Sequence, residues 1–191
     1  MPITPSRVDV LNEFLLHPHL EQLTEYVHES IFKFRIPASS MYTSCSRAVI
    51  ATYRSSVIVW PDGSKKKDAS VSFPRPTFWF NGEVKFTLQL ALSAAHTGGN
   101  ERVRLKQEFW VHKTADVLSS GGTQIATTSE SKTFTTQGLQ TISDQPTTLI
   151  TSDHDVITAS YERDNTHGDE NFTGKIYVVS LEVEYFPRFL Q

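Results

Sequence analysis

The chain has 191 residues, of which 38% are hydrophobic and 20% are charged, and its net charge at pH 7 is -3. This length suits one domain with a sizeable core, and the slightly acidic balance argues against a nucleic-acid surface spread over the whole chain. The single cysteine, Cys45, excludes an intramolecular disulfide and a zinc cluster built from cysteines.

Residues 1–30 are predicted to form a helical arm ahead of the main domain. Thr4 is suited to cap a first helical turn, with Pro5 at its first position. Apolar residues then recur on one helix face, and Pro18 breaks or bends the helix before the pattern resumes. We expect the apolar face to cover a sheet edge of the same chain or a neighbouring subunit. The candidate interface residues in this arm are Leu11, Leu15, Leu23 and Val27.

Residues 31–191 are predicted to form an all-β sandwich domain, because the apolar period changes there from the helical value to two. Residues 118–148 are rich in Ser, Thr and Gly and alternate weakly, which predicts either two edge strands or an irregular excursion. The clearer strands are expected at 31–36, at 46–60 as one long or bulged strand, and at 77–80, 83–92, 103–113, 156–162 and 174–187.

The sequence around Asn81-Gly82 predicts a hairpin, since Asn-Gly favours the positive φ angles of a two-residue loop. Just before it, three aromatic residues are consecutive, and period-two alternation places the middle one on the opposite face from its neighbours. Both faces are then apolar, which implies burial by the arm or by another subunit. Phe78, Trp79 and Phe80 therefore join the candidate interface residues.

The end of the chain predicts one long strand with a single buried face. Apolar or aromatic residues stand at every second position, namely Tyr177, Val179, Leu181, Val183 and Tyr185. A strand of this length needs a large sheet to pair with, which favours a jelly-roll sandwich. An immunoglobulin-like sandwich is the main rival. It is usually shorter and often contains an inter-sheet cysteine pair, which a chain with one cysteine lacks.

Three polar segments resemble metal sites at first sight. His17 and His19 flank a proline ahead of Glu25, but the spacing is long for a cupin-type site and the stretch is predicted to be helical. Asp153-His154-Asp155 would alternate between the two faces of a strand. The loop at 164–171 offers oxygen ligands but lacks the calcium-loop pattern of an EF-hand. A helix break, a polar strand entry and a solvated loop account for the three segments better than a metal does.

Catalytic motifs give little support to an enzyme. The chain contains no Gly-x-Ser-x-Gly elbow, no P-loop and no Gly-x-Gly-x-x-Gly. Cys45 lies between two serines and outside any cysteine-protease signature. We therefore predict a protein that is not an enzyme and needs no cofactor.

An N-terminal segment, about eight long strands and a closing strand from Gly174 to Tyr185 resemble a single-jelly-roll viral coat protein over roughly residues 30–187. The resemblance implies a self-assembling virion component: a capsid, cement or decoration protein, or a tail or spike component. One departure concerns RNA-packaging coat proteins, which commonly carry a basic arm, because Arg7 is the sole Lys or Arg within residues 1–31. We expect copies of this chain and other virion proteins as partners, and no nucleic-acid binding through a basic arm.

The start of the chain shows neither the basic nor the apolar region of a signal peptide, and no apolar run reaches the length of a membrane span. The expected location is the virion, after synthesis in the host cytoplasm and without membrane contact. The alternative is a carbohydrate- or ligand-binding jelly-roll module, with Trp60, Trp79 or Trp110 as a stacking platform. A cupin-like metalloenzyme is a third reading, and it predicts a bound transition metal.

Overall fold

The computed structural model describes residues 32–50, 55–63, 67–76, 82–93, 101–113, 122–134, 138–148, 150–151 and 153–187. The predicted arm at residues 1–30 lies outside the described residues, so its helical character stays a prediction. The candidate interface residues Leu11, Leu15, Leu23, Val27, Phe78, Trp79 and Phe80 also lie outside them.

The described residues form ten strands and one short 3₁₀ turn at Ala38–Ser40. The strands are β1 Phe32–Pro37, β2 Arg47–Ile50, β3 Ser55–Trp60, β4 Lys67–Pro74, β5 Gly82–Leu92, β6 Val103–His112, β7 Thr123–Lys132, β8 Leu139–Asp144, β9 Val156–Arg163 and β10 Ile176–Pro187.

The ten strands form two antiparallel sheets. Sheet A has the order β2-β3-β10-β5-β8, and sheet B has the order β4-β9-β6-β7. Strand β1 also belongs to sheet A: it pairs with the later part of β10, while β3 pairs with the first residues of the same strand. Long β10 is therefore flanked on one side by β5 and on the other by β3 and β1 end to end.

The pairing order identifies a jelly roll. Strand β3 pairs with β10, β4 with β9, β5 with β8 and β6 with β7. In the sequence from β3 to β10, the first and last strands therefore pair with each other, and each following pair lies between the two strands of the pair before it. This is one long hairpin wound over itself into two sheets, as in jelly-roll domains. The predicted all-β jelly-roll sandwich is confirmed in the described residues.

The inward side chains of both sheets form one hydrophobic core. Phe86 of sheet A stacks on Phe109 of sheet B, with ring centroids 4.4 Å apart, and Tyr161 meets Phe109 edge-on at 5.8 Å. Ala38 and Met41, at the 3₁₀ turn, belong to the same core. Alternating burial along β6 and β9 agrees with the period-two pattern of their sequences.

The prediction of one strand across residues 46–60 is wrong. This stretch contains β2 and β3, which pair with each other from Arg47 opposite Ile58 to Ile50 opposite Ser55. A period-two pattern runs equally well through one long strand or through two paired strands, so the sequence did not separate them. Strand β4 was not predicted either, although Ala69, Val71 and Phe73 alternate along it and face the core.

The positive φ predicted at Gly82 for a type I′ turn is not found, and the rest of the predicted hairpin, residues 77–81, lies outside the described residues. Gly82 is the first residue of β5, its φ is not among the positive values, and its backbone exchanges two hydrogen bonds with Ile150. The reason for a glycine there is close packing: a Cβ would lie 2.5 Å from the Tyr185 ring and 2.6 Å from the Phe186 carbonyl oxygen.

A bulge divides the final strand. The register with β5 shifts between Val178 and Ser180, so Ile176 and Val178 face the core before the shift and Leu181 faces it afterwards. Tyr177 consequently lies on the outward face, whereas the sequence placed it with Leu181 on one face. Of the two alternatives for residues 118–148, the prediction of two edge strands is confirmed, because β7 and β8 are the edge strands of their two sheets.

Candidate functional site

The outward faces of the two sheets differ in exposure. On β5 the outward side chains of Thr87, Gln89 and Ala91 are 7%, 8% and 4% exposed, so this strand is buried on both faces over that stretch. On β6 the outward residues, Lys106 and Trp110 among them, are half-buried throughout. The outward face of sheet B is therefore the broad accessible surface to which a ligand can bind.

We call this surface the Trp110 face. Trp110 lies on β6 with Thr158 of β9 opposite on one side and Gln124 of β7 opposite on the other. Ser72 of β4 stands opposite Thr158 and extends the row across all four strands. The next row contains Ser70, Ser160, Glu108 and Thr127.

Hydrogen-bonding groups lie on the strand positions next to Trp110. The hydroxyl oxygens of Ser72 and Thr158 lie 2.8 Å apart, and the Thr158 hydroxyl lies 3.3 Å from Nε2 of His112. The Lys106 ammonium contacts the Glu108 carboxylate at 2.9 Å. An aromatic platform flanked by hydroxyls and a carboxylate is a surface that suits a polyhydroxylated ligand.

A glycine sets the position of His112 at one end of this face. Gly122 has a φ of +107°, and a Cβ at this residue would lie 2.5 Å from two atoms of the His112 ring. The ring therefore packs directly against the glycine backbone, which no other residue type allows without displacing it.

Of the three tryptophans considered as stacking platforms, one faces outward in the described residues. Trp60 is fully buried in the core, and its Nε1 donates a 3.0 Å hydrogen bond to the carbonyl oxygen of Asp68. The prediction that Trp60 is a stacking platform is therefore wrong. Trp79 lies outside the described residues. Trp110 remains, and the sequence signal for it was its place in the outward set of alternating β6.

The lateral sides of the sandwich carry exposed apolar side chains. Tyr42 and Val49 are 69% and 76% exposed on the side formed by β2 and β4. Leu139 is 48% exposed on the opposite side, formed by β7 and β8. No sequence signal marked these residues, because exposure of an apolar residue at a sheet edge depends on strand order.

The acidic loop at 164–171 uses its oxygens on the protein itself. The Asp164 carboxylate accepts hydrogen bonds from the backbone and hydroxyl of Thr166, at 3.1 and 2.6 Å. Glu170 forms a buried ion pair with Arg163 at 2.6 Å. At the other polar segment, His154 Nδ1 accepts a 3.1 Å hydrogen bond from the Thr151 backbone. Within the described ranges no three His, Cys, Asp or Glu side chains are placed to hold a metal ion.

The third metal candidate, His17 with His19 and Glu25, lies outside the described residues. Cys45 is half-buried and packs against the core, and its backbone N–H donates a 3.0 Å hydrogen bond to the Thr43 hydroxyl. Across the described parts of the chain, no helix is long and apolar enough to cross a membrane.

Comparison with known proteins yields no match to a protein-family model and none to a curated protein. Among solved structures, a family two carbohydrate esterase from Cellvibrio japonicus is 10% identical, with a TM-score of 0.43, over 84% of this chain and 37% of the esterase chain. The CBM36-1 domain of a multidomain xylanase from the hindgut metagenome of Trinervitermes trinervoides is 11% identical, with a TM-score of 0.46, over 80% and 96% of the two chains.

A chain in the structure of infectious bursal disease virus Gx strain is 10% identical, with a TM-score of 0.42, over 82% of this chain and 32% of that chain. The chain thus spans about a third of the length of the virus and esterase chains. Similarity this distant assigns no activity or ligand, and the jelly-roll assignment rests on the strand order given above.

Proposed function

We propose that the protein is a non-catalytic structural component of a virion that associates with further copies of itself through the lateral sides of the sandwich. The observation that carries this proposal is the position of exposed apolar side chains. Tyr42 and Val49 lie on one lateral side, and Leu139 lies on the other. Contacts between two different sides of a subunit are heterologous, and they build rings when the rotation closes.

The chemistry of these sides supports an interface. Strand β2 has a neighbour in β3 and none on its other side among the described strands, and β8 is likewise at the border of sheet A. Edge strands present unpaired backbone groups, and monomeric proteins usually protect them with charges or prolines. Here the exposed residues at the two borders include Val49 and Leu139, which favour burial against a partner.

The virion proposal is supported by the sequence resemblance to single-jelly-roll coat proteins and is compatible with the fold. Jelly rolls occur in viral capsid, lectin and cupin domains, so the fold leaves these classes open. The described part of the chain offers lateral contact sides and no cluster of metal ligands, which supports the capsid class over the cupin class. The proposed location is the virion after synthesis in the host cytoplasm, and the proposed partners are further copies and other virion proteins.

Charge placed on the lateral sides tests this function. We expect the full-length protein to form oligomers. Val49→Glu together with Leu139→Glu should shift these oligomers to monomers, because burial of the new carboxylates in an interface between subunits costs free energy. The molar mass is measured by light scattering after size-exclusion chromatography over a range of concentrations. Both residues are exposed, so folding should be unaffected and is checked by circular dichroism.

The matched control is Thr147→Glu together with Thr173→Glu, which adds the same charge at exposed loop positions outside the edge strands. This control should leave the molar mass unchanged. A wild-type protein that stays monomeric at the highest concentrations, or equal dissociation by both double variants, would contradict lateral self-association.

The second candidate function is glycan binding at the Trp110 face. The specific observation in its favour is Trp110 on a solvent-accessible sheet face between Thr158 and Gln124. Aromatic rings bind the apolar face of a sugar, while neighbouring hydroxyls and carboxylates orient its hydroxyl groups.

A glycan array followed by calorimetry on any hit tests this candidate. Trp110→Ala should abolish binding, while Thr141→Ala, on the outward face of sheet A, should leave it unchanged. A bound glycan would also raise the melting temperature in proportion to its occupancy. An array without a hit, or a hit that survives Trp110→Ala, would remove this candidate.

A further inference from the structure

Polar side chains interrupt the inner face of sheet B. Gln107 of β6 faces the core, and it lies opposite Tyr161 of β9 on one side and Thr128 of β7 on the other. Gln107 and Tyr161 are each 1% exposed. Oε1 of Gln107 and the hydroxyl oxygen of Tyr161 are buried, and neither has a hydrogen-bond partner among the described residues. A buried oxygen without a partner costs free energy, so these two atoms mark a place that suits a bound group.

The orientation of the Gln107 amide is set by a carboxylate on β7. Its Nε2 donates a 3.3 Å hydrogen bond to Oε1 of Glu130. Rotation of the amide by half a turn would bring its oxygen against the carboxylate oxygen, and two acceptors repel each other. Oε1 of Gln107 is therefore fixed as an acceptor that points away from Glu130.

A carboxylate of the opposite sheet faces the same group. Asp144 of β8 lies opposite Phe86, whose ring is in the core, and its Oδ2 accepts a 2.5 Å hydrogen bond from the Thr128 hydroxyl. Burial, and after it the charge of Asp144, raises the pKa of Tyr161 well above its ordinary value of 10.0. The carboxylate thus acts on the tyrosine hydroxyl through space, although the hydroxyl forms no hydrogen bond with it.

The group lies next to the lateral side formed by β7 and β8, which are the edge strands of their sheets. Thr128, Glu130 and Asp144 are half-buried, so this end of the group is accessible. The Lys132 ammonium lies 2.9 Å from Oε2 of Glu130 and offsets the charge of that carboxylate. The charge of Asp144 remains, and it favours a cation over an anion at this place.

We propose that this group binds a Ca²⁺ ion between the two sheets. Asp144 supplies a carboxylate oxygen from sheet A, and Gln107 supplies its amide oxygen from sheet B. The hydroxyl of Tyr161 binds a water molecule of the ion's coordination shell, which gives this buried oxygen its partner. The ion would therefore join the two sheets at the side where their edge strands lie. This inference goes beyond the proposed function, since it concerns the interior of one subunit.

The types of ligand favour calcium over other metals. The group contains no histidine or cysteine, which transition metals prefer, and Ca²⁺ accepts carboxylate and amide oxygens in a flexible geometry. Mg²⁺ demands a near-ideal octahedron and gives up its waters reluctantly. The described ranges contain no set of three His, Cys, Asp or Glu placed for a metal, so neutral oxygens and water complete the shell. With so few charged ligands we expect a dissociation constant of about 10⁻⁴–10⁻³ M.

Thermal unfolding of the full-length protein in EDTA and in about 10 mM CaCl₂ tests the site, because an ion that binds the folded state raises the melting temperature. We expect a rise of several degrees with CaCl₂ and a smaller one with MgCl₂. Asp144→Asn should abolish the rise. The matched control Asp153→Asn removes an exposed carboxylate and should retain it. A wild-type protein without a calcium-dependent rise, or an equal rise in both variants, would overturn the proposal.

Terbium luminescence gives a second readout that does not require Asp144→Asn to fold. Tb³⁺ occupies calcium sites and emits when an aromatic side chain close to it absorbs ultraviolet light. We expect TbCl₃ to give emission that CaCl₂ displaces, and Tyr161→Phe to reduce this emission several-fold. Tyr161→Phe keeps the ring that packs on Phe109 and removes a hydroxyl without a partner, so it should fold.

The control for terbium is Tyr42→Phe, which changes a tyrosine that is 69% exposed and should leave the emission unchanged. No emission from the wild type, or equal emission from the two phenylalanine variants, would contradict an ion beside Tyr161. Calcium binding and lateral association can fail separately, because one is measured by melting and luminescence and the other by molar mass.

Discussion

Arg163 is the charged side chain on which the loop after β9 depends. It is fully buried, and its guanidinium pairs with Glu170 at 2.6 Å and donates a 2.8 Å hydrogen bond to the Gly174 carbonyl oxygen. It also donates to the carbonyl oxygen of Phe172, and it lies 5.4 Å from the centre of that residue's ring. One side chain thus ties the loop at 164–171 to the end of the sandwich.

Burial and the charge of Arg163 shift the pKa of Glu170 in opposite directions. Burial raises the pKa of this carboxyl above its ordinary value of 4.5, and the charge of Arg163 partly offsets that rise. Because the folded-state pKa lies above the unfolded one, the stabilisation from Glu170 is fully present below the unfolded pKa. It is lost as the pH rises through the folded pKa. Arg163 keeps this loss small at neutral pH.

Removal of the guanidinium should therefore destabilise the protein in a pH-dependent way. Arg163→Met leaves a buried carboxylate without its partner, which costs about 3–5 kcal/mol of unfolding free energy at neutral pH. In this variant the pKa of Glu170 rises further, so part of the stability should return as the pH is lowered and the carboxyl is protonated. Urea unfolding at several pH values measures both effects.

The double variant Arg163→Met with Glu170→Gln is the control, since it removes both charges. It should be more stable than Arg163→Met at neutral pH and should lack that variant's gain in acid. An equal loss of stability for both variants at every pH would show that the buried charge is not the cause.

At the scale of elements, β1 is attached to sheet A by ion pairs as well as by its ladder. The Lys33 ammonium lies 2.7 Å from Glu182 and 3.0 Å from Glu184, and Arg35 contacts Glu182 at 3.1 Å. Hydrogen bonds from Lys33, more than any other cause, hold the pKa of both carboxyls below the ordinary value of 4.5. The two strands are thus coupled by groups whose charge depends on pH.

This coupling predicts an acid-sensitive attachment of β1. A lowered folded-state pKa means that the contribution of Glu182 and Glu184 is present above the unfolded pKa and is lost as the pH falls through the folded pKa. Glu182→Gln with Glu184→Gln should lower the melting temperature at neutral pH and flatten its decline in acid, so that variant and wild type converge. Thermal unfolding across a pH series measures this.

Asp153→Asn serves as the control, because its carboxylate is exposed and its contact with Lys113 is 3.7 Å long. It should reproduce the wild-type pH profile. If the melting temperature of the glutamine double variant falls in acid as steeply as that of the wild type, other groups are responsible for the pH dependence.

At the scale of the whole molecule, the fold is closed by its last strand. Strand β10 pairs with β1, β3 and β5, so a chain without it loses the centre of sheet A. It also loses the burial of Val178, Leu181, Val183 and Tyr185, each fully buried. At about 1.5–3 kcal/mol for each side chain, this loss is comparable with the whole stability of a domain, about 5–15 kcal/mol.

A chain that ends at Gly174 should therefore fail to fold cooperatively, whereas a chain that ends at Pro187 should unfold in a cooperative transition. The comparison requires thermal unfolding monitored by near-ultraviolet circular dichroism. A sharp transition in the shorter chain would show that sheet A is stable without its central strand and would contradict this account of the fold.

Much of the strand placement could be read from local sequence. Strands β5, β6 and β9 alternate apolar and polar residues, and each lies where that pattern predicts it. The weak alternation of residues 118–148 also has a structural reason, because β7 and β8 are edge strands with less apolar surface to bury. Local periodicity reports which face of a strand is buried, and this suffices when the strand is regular.

Other features depended on partners distant in sequence. Gly82 indicated a turn, but it is needed because Tyr185 and Phe186 pack against its backbone. The acidic loop was interpreted as a solvated loop, but its Glu170 forms an ion pair with the buried Arg163. Trp60 and Trp110 were both candidate stacking platforms, but Trp60 faces the core while Trp110 belongs to the outward set of β6.

The sequence by itself determined the β class and the position of most strands, because period and composition are local properties of the chain. The tertiary structure decided the nested pairing of β3 with β10, the bulge that turns Tyr177 outward and the burial of one sheet face but not the other. Each of these is set by contacts between segments separated by many residues, and no local pattern records which segments meet.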